Sequence, residues 1–133
     1  MNRVIEYLEK PTQRDEKDIA AILERLLSSV KKKDIDELSS LFSDNARIAM
    51  YDKNEKLYKK SEYLEGMKKL MQDIHAINYK NTLIRLKNKK EATASCYNIT
   101  TFRGKLAPIS RERFFTFRRY DSIWYITKVL YRE

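Results

Sequence analysis

Glycine, histidine and cysteine are scarce in this chain, and each scarcity removes a class of chemistry. The 133 residues include two glycines and one cysteine, and one histidine. The glycines, Gly66 and Gly104, stand far apart. Loops that cradle phosphates need clustered glycines so that the backbone can approach the anion. Neither the dinucleotide fingerprint G-x-G-x-x-G nor the P-loop can therefore be drawn. A structural zinc site cannot be assembled from His75 and Cys96 alone. G-x-S-x-G is missing too, and with it the nucleophile elbow of the α/β-hydrolases. His75 falls in a helical pattern with no serine signature beside it, so it reads as a rim or cap residue. No cofactor or metal is expected. No apolar run is long enough for a membrane span, and the first 20 residues lack the apolar core of a signal peptide. A lone cysteine has no internal disulfide partner, which fits a reducing cytoplasm.

Charge is abundant by contrast. Lys and Arg number 28 against 19 Asp and Glu, a formal charge of +9, yet 42% of the residues are hydrophobic. That balance describes one folded domain with a basic surface. Such a charge invites nucleic acid, and Arg111–Tyr120 interleaves basic and aromatic residues as stacking platforms do. An amphipathic strand alternates in the same way, no recognition-module motif is present, and the Lys clusters at 31–33, 59–60 and 87–90 fall at element ends. No specific nucleic-acid or membrane partner is expected.

The hydrophobic spacing divides the chain in two. Residues 1–14 read as a short arm broken by Pro11, ahead of a single domain over 15–133. Ile19, Ile22, Leu23, Leu26, Leu27 and Val30 form one helical stripe. Asp34, with Glu37 three residues on, opens a second helix, and Ser43-Asp44-Asn45 is expected to end that helix before a strand at Ala46–Tyr51. Leu57–Lys59 reads as a short strand, and Ser61 as the cap of a third helix with Tyr63, Met67, Leu70, Met71 and Ile74 on its stripe. From Ile77 the period becomes two, giving strands at about 77–87, 91–103, 108–120 and 123–132. Short turns between long strands imply an antiparallel meander. Helices first and strands later is an α+β arrangement.

The run Lys33-Asp34-Ile35-Asp36-Glu37-Leu38-Ser39-Ser40-Leu41-Phe42-Ser43-Asp44-Asn45-Ala46 resembles the "kDlDaLxxLFxdDA" motif of the nuclear transport factor 2-like superfamily, which includes the SnoaL-like proteins. The third helix, the long meander and the closing Trp124-Tyr125-Ile126 of a "WxI" strand are similar as well, over roughly residues 15–132. The resemblance implies a cone, in which three N-terminal helices pack on a curved, mostly antiparallel sheet around a cavity. It implies a homodimer formed through the sheet, and uses that range from isomerase, dehydratase and cyclase activity to ligand binding and protein interaction. Fold alone does not choose among them.

Strand parity nominates the side chains that face the cavity. Met50, Phe115, Trp124, Asn98, Arg113 and Lys128 fall on inward faces, and Tyr63 and Met67 on the helix stripe. The ketosteroid isomerase-like members use a Tyr and two Asp. By alignment from Asp34, the Tyr position falls on Leu26 and the base on Met50, with the second Asp near Glu112 or Arg113. The first two cannot move a proton. A ligand-binding protein for a small, largely apolar and anionic molecule is therefore the leading expectation. An inward Lys128 or Arg113 would need a counter-anion, supplied by a ligand or a protein carboxylate, unless it snorkels to the rim. An enzyme built on an unusual set such as Lys128, Tyr63 and Asn98 is the alternative. A third reading is a dimeric interaction module with Tyr125, Val129 and Tyr131 on the outer seam.

Overall fold

A computed structural model describes residues 12–50 and 56–132; nearly all of the predicted arm, residues 1–11, lies outside the described residues. The first helix, α1 (Gln13–Lys32), starts inside the stretch read as arm, and Thr12 is its N-cap. The Asp15 amide donates to Thr12 Oγ1 at 3.3 Å, and Asp15 Oδ2 accepts from the Thr12 amide at 2.8 Å. That reciprocal pair satisfies two of the donors a helix N-terminus leaves orphaned. The stripe buries Ile19, Ile22, Leu23, Leu26 and Val30. The helix ends at Lys33, which takes a left-handed φ of 58° so that its amide reaches the Ser29 and Val30 carbonyls. Asp34 then caps α2 (Ile35–Ser40), accepting from the Glu37 amide at 3.1 Å.

The second helix ends ahead of Ser43-Asp44-Asn45, at Ser40, but the strand starts earlier than expected: β1 (Phe42–Ala49) runs through the triplet. Ser43 Oγ donates to Asn45 Oδ1 at 2.9 Å, so these polar side chains bond each other. An irregularity between Phe42 and Arg47 absorbs the extra residues in the parallel pairing with the last strand. After β2 (Leu57–Lys59) comes α3 (Lys60–Asp73), which begins one residue before Ser61. Its first turn is closed by Glu62, whose Oε1 accepts from the Lys59 amide at 3.0 Å, so Ser61 is not the cap. His75 lies past the helix on β3 (Ile74–Leu86), exposed.

The meander continues through β4 (Glu91–Phe102), β5 (Ile109–Tyr120) and β6 (Ile123–Arg132), close to the bounds that periodicity gave. The six strands lie in the order β2-β1-β6-β5-β4-β3. All neighbours are antiparallel except β1 and β6. Bulges interrupt β3 between Ile74 and Ala76 and between Lys80 and Leu83, and β6 opposite Thr116–Phe117. Bulges add local twist and bend a strand, and here they help the sheet wrap around the helices. Alternation on β5 buries Arg113, Phe115 and Phe117, so the basic-aromatic run is an amphipathic strand with its aromatic ladder in the core.

One end of the core is tied by a single carboxylate. Asp15, only 3% exposed, accepts at Oδ1 from Trp124 Nε1 and from an Arg119 guanidinium nitrogen, both at 3.3 Å. The N-terminus of α1 is thereby fastened to β5 and β6. Burial works against the Asp15 charge, but hydrogen bonds from Thr12 and Trp124 and the Arg119 cation outweigh it and hold the carboxyl below the usual range.

Candidate functional site

The inner sheet face carries one feature that packing does not explain. Arg113 is 6% exposed, although an arginine is almost never buried without a charged partner. It sits on the cross-strand row Cys96–Arg113–Tyr131. Its guanidinium carbon lies 4.6 Å from the Tyr131 ring centroid and 5.6 Å from that of Phe115. One terminal nitrogen donates to the Tyr79 hydroxyl at a long 3.4 Å, and Nε has no partner. Asp15 is the one buried carboxylate among the described residues, and it is bound to Arg119 and Trp124.

Protonation sharpens the imbalance. Burial pushes Tyr63 up to about 12 against the pull of Arg113, and raises Tyr79 and Tyr131 as well. Burial likewise pushes the Cys96 thiol up to about 11. For Arg113 itself, burial disfavours the cation, while Tyr131, Tyr79, Tyr63 and Cys96 favour it; the net direction is upward. Those four groups attract it as anions only after losing their protons, which happens well above neutral pH. At pH 7 the guanidinium is therefore surrounded by neutral hydroxyls, a neutral thiol and aromatic rings. The rings give cation–π attraction, about 0.5–2 kcal/mol each. They do not neutralise the charge.

The structure brings Arg113, Phe115, Tyr63 and Asn98 into this neighbourhood. Tyr63, on α3, packs its ring 5.1 Å from Phe42, and Phe115 lies tilted against Tyr79 at 6.4 Å. Asn98 pairs in register with Tyr79, and its Oδ1 accepts from Thr100 Oγ1 at 3.1 Å. Met67, four residues beyond Tyr63, shares its helix face and is buried. Met50 lies half-buried against Gly66, where any β-carbon would overlap its thioether. Trp124 is placed elsewhere, in the Asp15 tie.

Lys128 is a correction: it is exposed on the opposite face. The Thr116–Phe117 pairing skips from Ile126 to Lys128, leaving Thr127 as an extra residue. Its hydroxyl donates to the Thr116 carbonyl at 3.2 Å, which holds the bulge. Parity inverts beyond it. Val129, 1% exposed, and Tyr131 turn inward, so neither belongs to an outer seam. The same inversion hid Tyr131 from the sequence-based inward set. Tyr79 was missed because β3 carries two bulges and no clean alternation.

A surface groove of about 740 Å³ lies between α2, the start of β1 and the β5–β6 turn. Tyr120, Tyr125, Asp44 and Lys60 line it, and none of the residues nominated as facing the cavity does. Its cation is already engaged: Lys60 Nζ donates to the Phe42 carbonyl at 3.0 Å and lies 3.6 Å from Asp44. Among the described residues, no three His, Cys, Asp or Glu side chains gather as a metal site, and no helix is long and apolar enough to cross a membrane.

Among the described residues, three helices packed on a curved six-stranded sheet, with a polar patch inside, define a nuclear transport factor 2-like protein. The chain belongs to the SnoaL-like domain family, whose pattern matches residues 19–129. Among solved structures it is similar to a protein of unknown function with a cystatin-like fold from Nostoc punctiforme PCC 73102. That protein shares 20% identity over 92% of each chain, with a TM-score of 0.76. A function-unknown protein from Mycobacterium tuberculosis is 13% identical over 91% of this chain and 77% of its own, with a TM-score of 0.78. A candidate scytalone dehydratase from Novosphingobium aromaticivorans DSM 12444 is 14% identical over 89% and 83%, with a TM-score of 0.75. At these identities the likeness shows the fold alone. No curated protein matches the chain in sequence.

Proposed function

We propose that this SnoaL-like protein binds a small, largely apolar, anionic molecule against the inner sheet face, with Arg113 as its anchor. The observation that carries this reading is the buried guanidinium with an unpartnered Nε and no carboxylate beside it. An uncompensated buried charge costs several kcal/mol, and an anionic ligand returns that energy on binding. The alternative enzyme set of Lys128, Tyr63 and Asn98 is not assembled, since Lys128 is on the outer face. Among the described inner-face residues no free carboxylate stands ready as a base. The test uses the fluorescent apolar monoanion 8-anilinonaphthalene-1-sulfonate. The folded protein is expected to bind one equivalent, and Arg113→Met to weaken that binding at least tenfold while the circular dichroism spectrum stays unchanged. Equal binding by the variant, or no stoichiometric binding by either protein, overturns the proposal.

The outer face favours a second, compatible reading as a homodimer. Leu83, Ser95, Phe114 and Leu130 follow one another in register across β3, β4, β5 and β6. Leu83 is 49% and Leu130 39% exposed, so the row opens an apolar side chain to solvent at each end, with Phe114 half-buried between them. A second copy of this chain would cover it. Sedimentation at micromolar concentration should give a dimer, and Leu130→Lys together with Leu83→Lys a monomer. A wild-type monomer discards this reading.

A further inference from the structure

We propose that the molecule held at Arg113 is a monocarboxylic acid on an aromatic or similarly flat apolar frame, and not a phosphate or other dianion. This rests on the ligand-binding reading above and narrows it.

The charge count comes first. Arg113 is the buried cation of the described core, and every group in contact with it is neutral at pH 7. One positive charge in a low-dielectric site compensates one negative charge. A second negative charge on the same ligand would itself be buried without compensation, at the cost that burying any unpaired ion carries. Arg111, two residues earlier on β5, is half-buried and already has an interaction of its own, so it is not a free second anchor.

Donor geometry comes next. The unclaimed Nε shares one edge of the planar fork with the terminal nitrogen that does not reach Tyr79; the nitrogen that does so, at a long 3.4 Å, lies on the other side. A carboxylate accepts two parallel N–H bonds from such an edge. The Tyr79 hydroxyl, within reach of the same guanidinium, keeps its proton at neutral pH and has a donor to offer the anion.

The walls supply the frame. Rings of Tyr131, Phe115 and Tyr79 surround the guanidinium, and Phe115 continues toward Phe117 at a centroid distance of 6.1 Å with the rings 27° apart. Flat apolar ligands pack against such rings. On β4 the inner side chains are small, Ala92, Ala94 and Cys96, so bulk on that side comes from the neighbouring strands.

The probes are 2-naphthoate, 2-naphthamide and 2-naphthyl phosphate, three ligands with one frame. Calorimetry at pH 7.5 with the full chain should show 2-naphthoate binding at least 30-fold more tightly than the amide and at least tenfold more tightly than the phosphate. Arg113→Met should reduce naphthoate affinity at least 30-fold and leave the amide within threefold. Tyr79→Phe, which keeps the ring, should reduce naphthoate affinity about threefold to tenfold. If the phosphate binds more tightly than naphthoate and depends on Arg113, the monoacid fails while the ligand-binding reading stands. If the acid and the amide bind equally, the anionic anchor fails, in this proposal and in the broader reading alike. If none of the three binds, both proposals fall. Should Arg113→Met not fold, the acid, amide and phosphate comparison on the unaltered protein and on Tyr79→Phe still decides the outcome.

Discussion

Val129→Asp is expected to unfold this protein or to cost at least about 4 kcal/mol, while Lys128→Asp one residue earlier should change stability by less than about 0.5 kcal/mol. The contrast tests the β6 bulge directly. Val129 is 1% exposed and faces the core, whereas Lys128 points to solvent. An aspartate at 129 would replace a fully buried apolar side chain, and would either take up a proton or force the strand out of the sheet to reach water. Unbroken alternation from Trp124 and Ile126 would give the opposite result, with Lys128 inside and Val129 outside. Urea unfolding followed by circular dichroism separates the two. A destabilisation larger at 128 than at 129 would discard the bulge and return Lys128 to the inner face.

Asp15→Ala should cost about 3 kcal/mol. The loss combines an N-capping contribution of about 1 kcal/mol with a buried Trp124 Nε1–H left without its acceptor, about 1–3 kcal/mol. The Arg119 ion pair adds less, because the arginine is 30% exposed and its charge is screened. Asp15→Asn should cost less, since an amide oxygen can still accept from Trp124. The pH dependence has a definite sign. The Asp15 carboxyl is held below its ordinary value, so its contribution is complete above the unfolded-chain value of about 3.9. It is lost as pH falls through the lower folded value. The stability gap between the wild type and Asp15→Asn should therefore hold constant from pH 7 to 5 and close below about pH 4. A gap that closes between pH 5 and 7 would show that this carboxylate is not held as the structure has it. An Asp15→Ala cost under about 1 kcal/mol would show that the tie between α1 and the sheet is dispensable.

Local patterns made much of this architecture readable. The stripe from Ile19 to Val30 spells a helix because apolar residues every third or fourth position line one face. The change to period two after Ile77, with Lys87–Lys90, Gly104 and Asp121 at the turns, spells the meander. The run from Lys33 to Ala46 carried the family resemblance, and the family match over residues 19–129 agrees with it. These features depend on neighbours a few positions apart, and so they survive without any knowledge of the fold. The absence of clustered glycines and of a Cys–His set was equally local.

Three things waited for the tertiary structure. Strand β1 runs through Ser43-Asp44-Asn45 because Phe42 on one side and Arg47 and Ile48 on the other pair with β6, and an irregularity carries the triplet between them. The inner set of β6 reverses at Thr127, since one extra residue opposite Thr116 and Phe117 exchanges the two faces and no spacing rule reveals where a bulge falls. The environment of Arg113 is the third. Parity alone put it inward, but whether a carboxylate from another element would meet it is a question about packing. Tyr63, Tyr79 and Tyr131 come to it from α3, β3 and β6, far apart in the chain, and they arrive with hydroxyls and no charge. Sequence by itself determined most of the elements, which rest on periodicity, and pointed to the family through the resemblance carried by the run from Lys33 to Ala46. Only the tertiary structure decided that a buried cation stands without an anion, because the count of partners depends on which distant side chains the fold brings together.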